Sequence, residues 1–580
     1  MWELSVKWFT VRSIVFISIL STSANLPSSA TAQLPYDRSS EHLHQSRSAT
    51  VATEGMVATS HPLAVSAGVD VLRSGGNAVD AAIAANAMLG LVEPMSCGIG
   101  GDLFVIYWDS ATKRLYGLNA SGRSPHGLDQ SVFREKGLTE IPIEGPLSWS
   151  VPGCVDGWLE LHGRFGRADL KEILQAPIHY GRRGFPVSEI IAGYWKASEG
   201  ALAKYPDSAS TYLMDGRAPA EGDLFRNPNL AATYELIAAE GREAFYGGSI
   251  AERIVAFSDQ NGGYLKLKDF TDHHSEWVEP VSTSYRGYEV WELPPNGQGI
   301  AALEMLNVLE GFDLSGMGYL DPEYLHLLIE AKKLAFADRA KFYADPAFEA
   351  LPVDDLISKA YGQRQRARIS RNRAATDVPA GDPKLIHGDT VYLSVVDKDR
   401  NCCSFIQSNY YGFGSKVTPG DLGFVLQNRG ALFALDDTHL NRLEPHKRPF
   451  HTIIPAMVTK DGRPWLCFGV MGGDMQPQGH VQVLVNMIDF GMNVQAAGDA
   501  PRVRHIGSAQ PTGKPADGSG TVNVEGGIPE AAVRGLIAKG HKIGRASGGF
   551  GGYQGIQIDW KRGVLHGATE SRKDGVALGY

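Results

Sequence analysis

The spacing of apolar residues changes near residue 390, and this change constrains the fold more than any other feature of the chain. Before it, apolar positions recur mostly at helical spacing, as in residues 322–345. After it, short runs such as residues 391–396 alternate in the manner of strands. Residues 361–388, between the two patterns, are polar and charged and predict a linker. Strands grouped with layers of helix predict an α+β sandwich.

The first half of the chain contains several elements with clear limits. Residues 56–96 predict two helices, the first ending at the Gly75–Gly76 pair and the second running from Asn77 to Leu91. Residues 103–108 are nearly all apolar and predict a strand that is buried on both faces. Residues 322–345 predict a long amphipathic helix with a single apolar side.

The second half predicts mainly strands. One helix is predicted over residues 478–492, after strand-forming sequence in residues 452–470. Further strands are predicted at residues 391–396, 402–411 and 424–428.

The N-terminus has the composition of a secretory signal peptide. Lys7 and Arg12 precede or border a short apolar core, and small residues before Gln33 offer a cleavage site after Ala32. The apolar run is too short to span a bilayer. A buried N-terminal helix is the alternative, but the flanking residues fit export better. We therefore expect residues 1–32 to be removed and the protein to be periplasmic or secreted.

Composition and motifs exclude several classes of function. The net charge of −9 and the lack of a long basic block disfavour nucleic acid as a partner. Five cysteines without a C-x-x-C pair imply neither a disulfide framework nor a zinc site. The sequence contains no G-x-S-x-G, H-E-x-x-H or Walker motif. The commoner hydrolase and nucleotide-binding chemistries are therefore not indicated.

Thr390, which follows Asp389 at the start of the strand, has two interpretations. By strand propensity alone it is an ordinary strand residue. Alternatively, the chain is cut between Asp389 and Thr390. The new α-amino group, with a reference pKa of about 7.7–8.0, would then accept the proton of the hydroxyl of the same residue. The residue would serve as nucleophile and base together.

Seven segments in order along the chain decide between these interpretations. Together they resemble the γ-glutamyltransferase (glutathione hydrolase) family, which consists of self-cleaving N-terminal-nucleophile (Ntn) hydrolases. The resemblance covers about residues 50–580. The segments are "SGGNAVDAAIAANAMLGLVEPMSCGIGG", "LPPNGQGIAALEML", "GDTVYLSVVDKDRN", "GFGSKVTPGDLGFVLQNRG", "KRPFHTIIPAMV", "GVMGGDMQPQGHVQVL" and "ATESRKDGVALGY".

The resemblance implies a four-layer αββα sandwich made as one precursor. Residues 33–389 would form a large subunit and residues 390–580 a small subunit, and the two would stay together as a heterodimer. The family chemistry requires neither a metal nor an organic cofactor. No membrane span is expected once the signal peptide is removed.

The catalytic residues of the family match positions in this sequence. Thr390 matches the nucleophile, and Ser408 falls where the family has a hydroxyl residue that supports the threonine amine. Gly472 and Gly473 match the pair whose backbone N–H groups form the oxyanion hole. Glycine suits this task because the backbone must closely approach the developing oxyanion. A tight turn is the alternative interpretation of the glycine pair.

The substrate-binding residues depart from the family pattern. Ser121 occupies the position of the arginine that binds the α-carboxylate of a γ-glutamyl group, and Arg123 lies two positions later. Arg123 would either bind a carboxylate or be a surface charge. Tyr410 replaces an asparagine, Arg429 a glutamine and Leu432 an aspartate.

A further departure lies where the family has a Ser-Ser pair, because this chain has His451 and Thr452 there. This pair keeps the hydrogen-bonding capacity but alters the shape. The loss of a carboxylate at Leu432 and the gain of a guanidinium at Arg429 disfavour a ligand ammonium and favour an anion.

Three functions remain open from the sequence. The first is a γ-glutamyltransferase or glutathione hydrolase type of amidase, with acyl transfer to water or an amine. The second is an amidohydrolase for a carboxylated acyl group that lacks an α-amine, such as a glutaryl- or oxamate-like group. The third, from a different class, is a periplasmic binding or scaffold protein on an inactive framework.

Overall fold

The computed structural model describes residues 45–376, residue 378 and residues 389–580, with Asp389 described by its backbone alone. The predicted signal peptide and residues 379–388 of the predicted linker lie outside the described residues.

The strands are short and fall on both sides of residue 390. They are β1 (Thr50–Ala52), β2 (Met56–Thr59), β3 (Asp102–Asp109), β4 (Arg114–Ala120), β5 (Phe185–Pro186), β6 (Leu224–Phe225), β7 (Glu276–Val278), β8 (Val281–Tyr285), β9 (Tyr288–Glu292), β10 (Asp389–Val396), β11 (Cys402–Tyr410), β12 (Ala456–Lys460), β13 (Arg463–Met471), β14 (Val503–Ile506), β15 (Thr521–Val524), β16 (Ile543–Gly544), β17 (Gly552–Asp559), β18 (Val564–Thr569) and β19 (Val576–Gly579).

Most of the helices precede residue 390. They are α1 (Pro62–Arg73), α2 (Ala78–Val92), α3 (Gln130–Glu135), α4 (Cys154–Phe165), α5 (Leu170–Ile173), α6 (Gln175–Arg183), α7 (Glu189–Leu202), α8 (Pro206–Tyr212), α9 (Pro228–Glu240), α10 (Arg242–Tyr246), α11 (Ser249–Gln260), α12 (Leu267–Thr271), α13 (Gly299–Leu309), α14 (Leu314–Met317), α15 (Pro322–Phe342), α16 (Val353–Leu356), α17 (Lys359–Arg366), α18 (Met475–Ile488), α19 (Val494–Asp499) and α20 (Glu530–Ala538). Within the described part of the chain, no helix has the length and apolar character needed to cross a bilayer.

Two seven-stranded sheets form the centre of the fold. Sheet A has the order β1-β18-β17-β13-β12-β9-β8, and sheet B has the order β19-β2-β10-β11-β3-β4-β7. Every neighbouring pair in the two sheets is antiparallel. The strands therefore present alternate residues to opposite faces.

This alternation divides the core into layers. On β10, Tyr392 and Val396 pack in the cluster between the two sheets, while Val391, Leu393 and Val395 pack outward with helices α1 and α2. The outer face of sheet A packs in the same way on α13, α15 and α18. The predicted α+β, four-layer αββα sandwich is confirmed by this arrangement.

Strands from the two sides of the Asp389–Thr390 bond are interleaved in both sheets. In sheet B, β10 and β11 lie between β2 and β3, and β19 pairs with β2. In sheet A, β1 pairs with β18, and β9 pairs with β12. A cut before Thr390 would therefore leave two chains that share both sheets.

Most predicted elements agree with the structure, with a few exceptions. The helix predicted from residue 56 begins only at Pro62, because residues 56–59 pair in sheet B as β2. Residues 424–428, predicted as a strand, lie in a loop, and residues 361–366 of the predicted linker belong to α17. Helix α15 is not amphipathic as predicted, since it buries charged as well as apolar side chains.

Candidate active site

Thr390 lies at a β-bulge between β10 and β11. Asp389 pairs with Tyr410 and Val391 pairs with Gln407, so two residues of β11 oppose Thr390. A bulge of this kind redirects a side chain and is common beside active sites. Thr390 Oγ1 donates to Ser408 Oγ over 3.3 Å, and only 1% of the Thr390 surface is exposed. The bulge therefore brings the expected nucleophile and its expected hydroxyl partner together.

Tyr410 takes up the backbone distortion of the bulge. Its φ angle is +82°, a region that a bulky non-glycine residue rarely adopts. Its backbone N–H donates to Ser408 Oγ over 2.8 Å. Ser408 Oγ thus accepts two hydrogen bonds, one from the Thr390 hydroxyl and one from the Tyr410 N–H, and the second stabilises the bulge.

Gly472 and Gly473 directly follow β13, a strand of sheet A that packs against β10 across the sandwich. Ser394 Oγ donates to the carbonyl of Cys467 over 3.0 Å. At Gly469, any Cβ would lie 2.5 Å from the Tyr392 ring, so glycine is required there. The same alternation predicts that Thr390 faces Met471, which directly precedes Gly472.

The conformation of the glycine pair leaves its N–H groups available. Gly472 and Gly473 have φ angles of +118° and +56°, which favour glycine. Their carbonyls accept from the N–H groups of Met475 and Gln476 over 3.0 and 3.1 Å. Within the described residues, the N–H groups of the two glycines have no hydrogen-bond acceptor. They are therefore suited to stabilise an oxyanion.

Asp102 and His451 form a buried pair beside this centre. Asp102 neighbours Ser408 across β3 and β11. His451 Nδ1 accepts from the N–H of Ile453 over 3.3 Å, so Nε2 carries the proton and donates to Asp102 Oδ2 over 3.1 Å. Burial, and next the charge of Arg429, lower the pKa of His451 to about 4. His451 is therefore neutral at pH 7.

Arg429 is a buried guanidinium with unused donors. It is 0% exposed, and one nitrogen donates to Thr452 Oγ1 over 2.7 Å. Its Cζ lies 4.6 Å from the centre of the Tyr410 ring. Burial lowers the pKa of Arg429 to about 10 against the opposing charge of Asp102, so the side chain stays charged. Nε and Nη2 have no hydrogen-bond partner among the described residues.

The other expected binding residues differ in their availability. Ser121 is buried, and its hydroxyl donates to Asn119 Oδ1 over 2.7 Å. Arg123 forms ion pairs with Glu276 and Asp345 at 2.7 and 3.3 Å. Arg123 is therefore neither a surface charge nor a free donor. Leu432, at the end of the short 3-10 helix that starts at Arg429, is fully buried.

One group of side chains away from these residues resembles a metal site. His326, Glu330 and His541 bring ligand atoms within 4.8 Å of one another. However, His326 Nδ1 lies 2.8 Å from His541 Nε2, and Lys333 Nζ lies 2.8 Å from Glu330. These hydrogen bonds already satisfy the ligand atoms, and we assign no ion to them.

Asp102 is a site residue that was not predicted from the sequence. Its Oδ1 accepts from the N–H of Gly122 and from Gln427 Nε2, both over 2.8 Å. The signal in the sequence was an aspartate placed directly before an apolar strand, where a charge is costly unless it is paired. Its partners could not be found from the sequence because they come from distant loops.

Comparisons with known proteins agree with this geometry. The model of the gamma-glutamyltranspeptidase family matches residues 64–580. The chain is 39% identical to the glutathione hydrolase-like YwrD proenzyme of Bacillus subtilis, over 91% of this chain and 99% of that protein. It is 35% identical to the acylase ACY 1 proenzyme of a Pseudomonas species, over 94% and 97% of the two chains.

A solved structure extends the likeness to three dimensions. The cephalosporin acylase from Bacillus halodurans superposes with a TM-score of 0.86 and 42% identity, covering 95% of this chain and 98% of that one. The fold, the order of the segments and the family match agree, and the chain therefore belongs to the gamma-glutamyltranspeptidase family of Ntn hydrolases.

Proposed function

We propose that the protein is a self-processed amidohydrolase that removes an acyl group bearing a terminal carboxylate and no α-amine, as a glutaryl group does. The observation that carries this proposal is the Arg429 guanidinium, which is buried and charged and has two nitrogens without partners among the described residues. A planar guanidinium with free donors matches a carboxylate in bidentate geometry.

The surroundings of Arg429 favour an anion over a zwitterion. The nearby carboxylate, Asp102, already accepts hydrogen bonds on both oxygens from Gly122, Gln427 and His451. His451 is neutral and its Nδ1 is engaged by a backbone N–H. An ammonium group would therefore meet a buried cation rather than an available acceptor, which disfavours the γ-glutamyl group.

The proposed reaction uses Thr390 after cleavage of the Asp389–Thr390 bond. Thr390 Oγ attacks the amide carbonyl while the new α-amino group accepts the hydroxyl proton. The N–H groups of Gly472 and Gly473 stabilise the resulting oxyanion. The ammonium then protonates the leaving amine as the C–N bond breaks. Water adds to the Thr390 ester, gives a proton back to the hydroxyl and releases the carboxylic acid.

A cavity next to the site provides space for the amine portion of the substrate. It measures about 910 Å³ and is lined by Tyr410, Tyr411 and Phe433 together with the loop at residues 139–144. Tyr410 borders both this cavity and Arg429. The proposed acyl group therefore lies on the Arg429 side of Tyr410, and the leaving amine lies on the cavity side.

Three anilides that share a four-carbon acyl chain and differ in its charged substituents test the proposal. The γ-glutamyl anilide carries a carboxylate and an ammonium, the glutaryl anilide only the carboxylate, and the butyryl anilide neither. We expect the processed protein to show the highest kcat/KM with the glutaryl anilide. A preference for the γ-glutamyl anilide would reject the proposed specificity while leaving the amidohydrolase chemistry intact.

A further inference from the structure

A glutamine from the part of the chain before residue 389 holds the glycine pair after it. Gln298 precedes helix α13 and is fully buried. Its Nε2 donates to the carbonyl of Gly473 over 3.0 Å and to the carbonyl of Thr452 over 2.6 Å. One amide thus connects Gly473, in the expected oxyanion hole, with Thr452, whose hydroxyl accepts a hydrogen bond from Arg429.

Arg339 fixes the orientation of this amide. Its Nη1 donates to Gln298 Oε1 over 2.6 Å. Because a guanidinium can only donate, the oxygen of Gln298 must face Arg339 and the NH₂ group must face Gly473. The same guanidinium donates to Asp474 Oδ1 over 2.7 Å and to Gln510 Oε1 over 2.6 Å.

The ion pair that anchors Arg339 is buried but ionised. Burial alone would raise the pKa of Asp474, but the charge and hydrogen bond of Arg339, the charge of Lys332 and the hydrogen bond of Gln510 together lower that pKa. Gln510 Nε2 donates to Asp474 Oδ2 over 2.7 Å, and Arg339 Cζ lies 3.9 Å from the centre of the Phe336 ring. A buried polar network of this kind fixes a single arrangement of its members.

This network determines the direction of the Gly473 carbonyl. That carbonyl is held by Gln298 and by the N–H of Gln476, and Asp474, the next residue, is held by Arg339. The φ angle of +56° at Gly473 leaves glycine free to adopt other conformations if these anchors are lost. An oxyanion hole is effective only when its donors are oriented before the reaction.

We propose that Gln298 and Arg339 are positioning residues that preorganise the oxyanion hole formed by Gly472 and Gly473. This inference goes beyond the acyl specificity, since it holds for whichever anilide the protein hydrolyses. It also gives residues of the expected large subunit a positioning role, which they exert through the backbone of the small subunit.

The test uses Gln298→Met, which removes both ends of the amide at similar volume. With the processed protein and its best anilide, we expect kcat per processed chain to fall about 10- to 100-fold with little change in KM. Inhibition by a boronic acid with the same acyl chain, which forms a tetrahedral adduct with Thr390, should weaken by a similar factor. Inhibition by the carboxylic acid product should not change.

Two further variants keep the test decisive. Arg339→Lys retains a positive charge beside Asp474, but lysine lacks the planar guanidinium that also donates to Gln298. We therefore expect kcat to fall in this variant too, by a smaller factor. Gln495→Met is the matched control, because Gln495 is also buried and donates to a backbone carbonyl, that of Thr569. It should change stability and leave kcat unaltered.

The contrary results are clear. An unchanged kcat per processed chain in both variants would overturn the proposal. So would a rise in KM alone, or folded variants that both remain uncut, since the residues would then serve substrate binding or cleavage instead.

Discussion

Thr390 Oγ1 donates to Ser408 Oγ over 3.3 Å, at a point where two residues of one strand oppose a single residue of the next. The same Ser408 oxygen accepts the N–H of Tyr410. The contact at the proposed nucleophile and the distortion that creates it therefore depend on one hydroxyl group.

The first prediction concerns Thr390 and Ser408. Thr390→Ala should leave a single chain without activity, because both the nucleophile and the cleavage chemistry are removed. Ser408→Ala should slow cleavage and lower kcat about 10- to 100-fold, since the hydroxyl loses its partner. Denaturing electrophoresis and anilide hydrolysis measure the two effects. Ser404→Ala is the control, because Ser404 lies on the same strand and contacts Tyr392 instead.

A wild-type protein that remains one chain would contradict this prediction. It would also favour the third function considered from the sequence, an inactive binding or scaffold protein.

The second prediction concerns Arg429. Arg429→Met should abolish the preference for the glutaryl over the butyryl anilide, a loss of about 100-fold in kcat/KM, because the carboxylate loses its partner. The free energy of unfolding should rise by about 1–3 kcal/mol, since buried donors without partners are removed. Hydrolysis of the two anilides and urea denaturation of the uncut Thr390→Ala chain measure these effects.

Arg123→Met provides the contrast for Arg429. Because Arg123 is paired with Glu276 and Asp345, its loss should destabilise the fold and leave the glutaryl preference in place. If Arg123→Met removed that preference and Arg429→Met kept it, Arg123 rather than Arg429 would be the residue that binds the carboxylate.

The third prediction concerns Tyr410. Tyr410→Asn should raise the KM for the glutaryl anilide several-fold, to about 10-fold, because Arg429 loses the aromatic ring beside it. Asparagine tolerates the positive φ angle, so the bulge itself should persist. Tyr410→Phe keeps the ring and should behave like the wild type. Equal KM values for the two variants would show that the ring does not support Arg429.

The fourth prediction concerns stability in acid. Burial lowers the pKa of His61, His273 and His451 to about 4 in the folded protein, from an ordinary value near 6.5. As the pH falls from 6.5 towards 4, the unfolded chain therefore binds protons that the folded chain does not. Each histidine should remove about 1.4 kcal/mol of stability per pH unit in this window.

Urea denaturation of the uncut Thr390→Ala chain at several pH values measures this loss. Adding His451→Gln should reduce the slope of the free energy of unfolding against pH by the contribution of one histidine, about 1.4 kcal/mol per pH unit. Gln495→Met, which alters a buried side chain without a titratable group, should leave the pH dependence unaltered. A stability that stays constant from pH 7 to pH 4.5 would be inconsistent with neutral buried histidines.

The sequence was sufficient for the layers of the fold and for the order of its segments. Periodicity located β3, β10 and α18, because each lies in a uniform environment that its own residues reveal. It failed for residues 56–59, since their pairing with β10 comes from a segment more than 300 residues away. It located the helix α15 but not its burial on all sides, because Lys332 and Arg339 form hydrogen bonds with distant segments.

The candidate site divides in the same way. Thr390, Ser408 and the glycine pair were predicted because the segments that contain them resemble, in order, those of a known family. The sequence also indicated that Arg429 favours an anion. It could not show that Arg123 is neutralised by two carboxylates, that Asp102 lies beside His451, or that Gln298 reaches Gly473. These are contacts between distant segments, which depend on the completed fold.

The interleaving of strands across the Asp389–Thr390 bond has a consequence for the lifetime of the enzyme. While the chain is continuous, unfolding and refolding are events within one molecule. Once it is cut, neither chain contains a complete sheet, so recovery from unfolding becomes a bimolecular encounter between two incomplete partners. The cut enzyme should therefore persist because it unfolds slowly rather than because it refolds readily, and its durability would be a matter of kinetics.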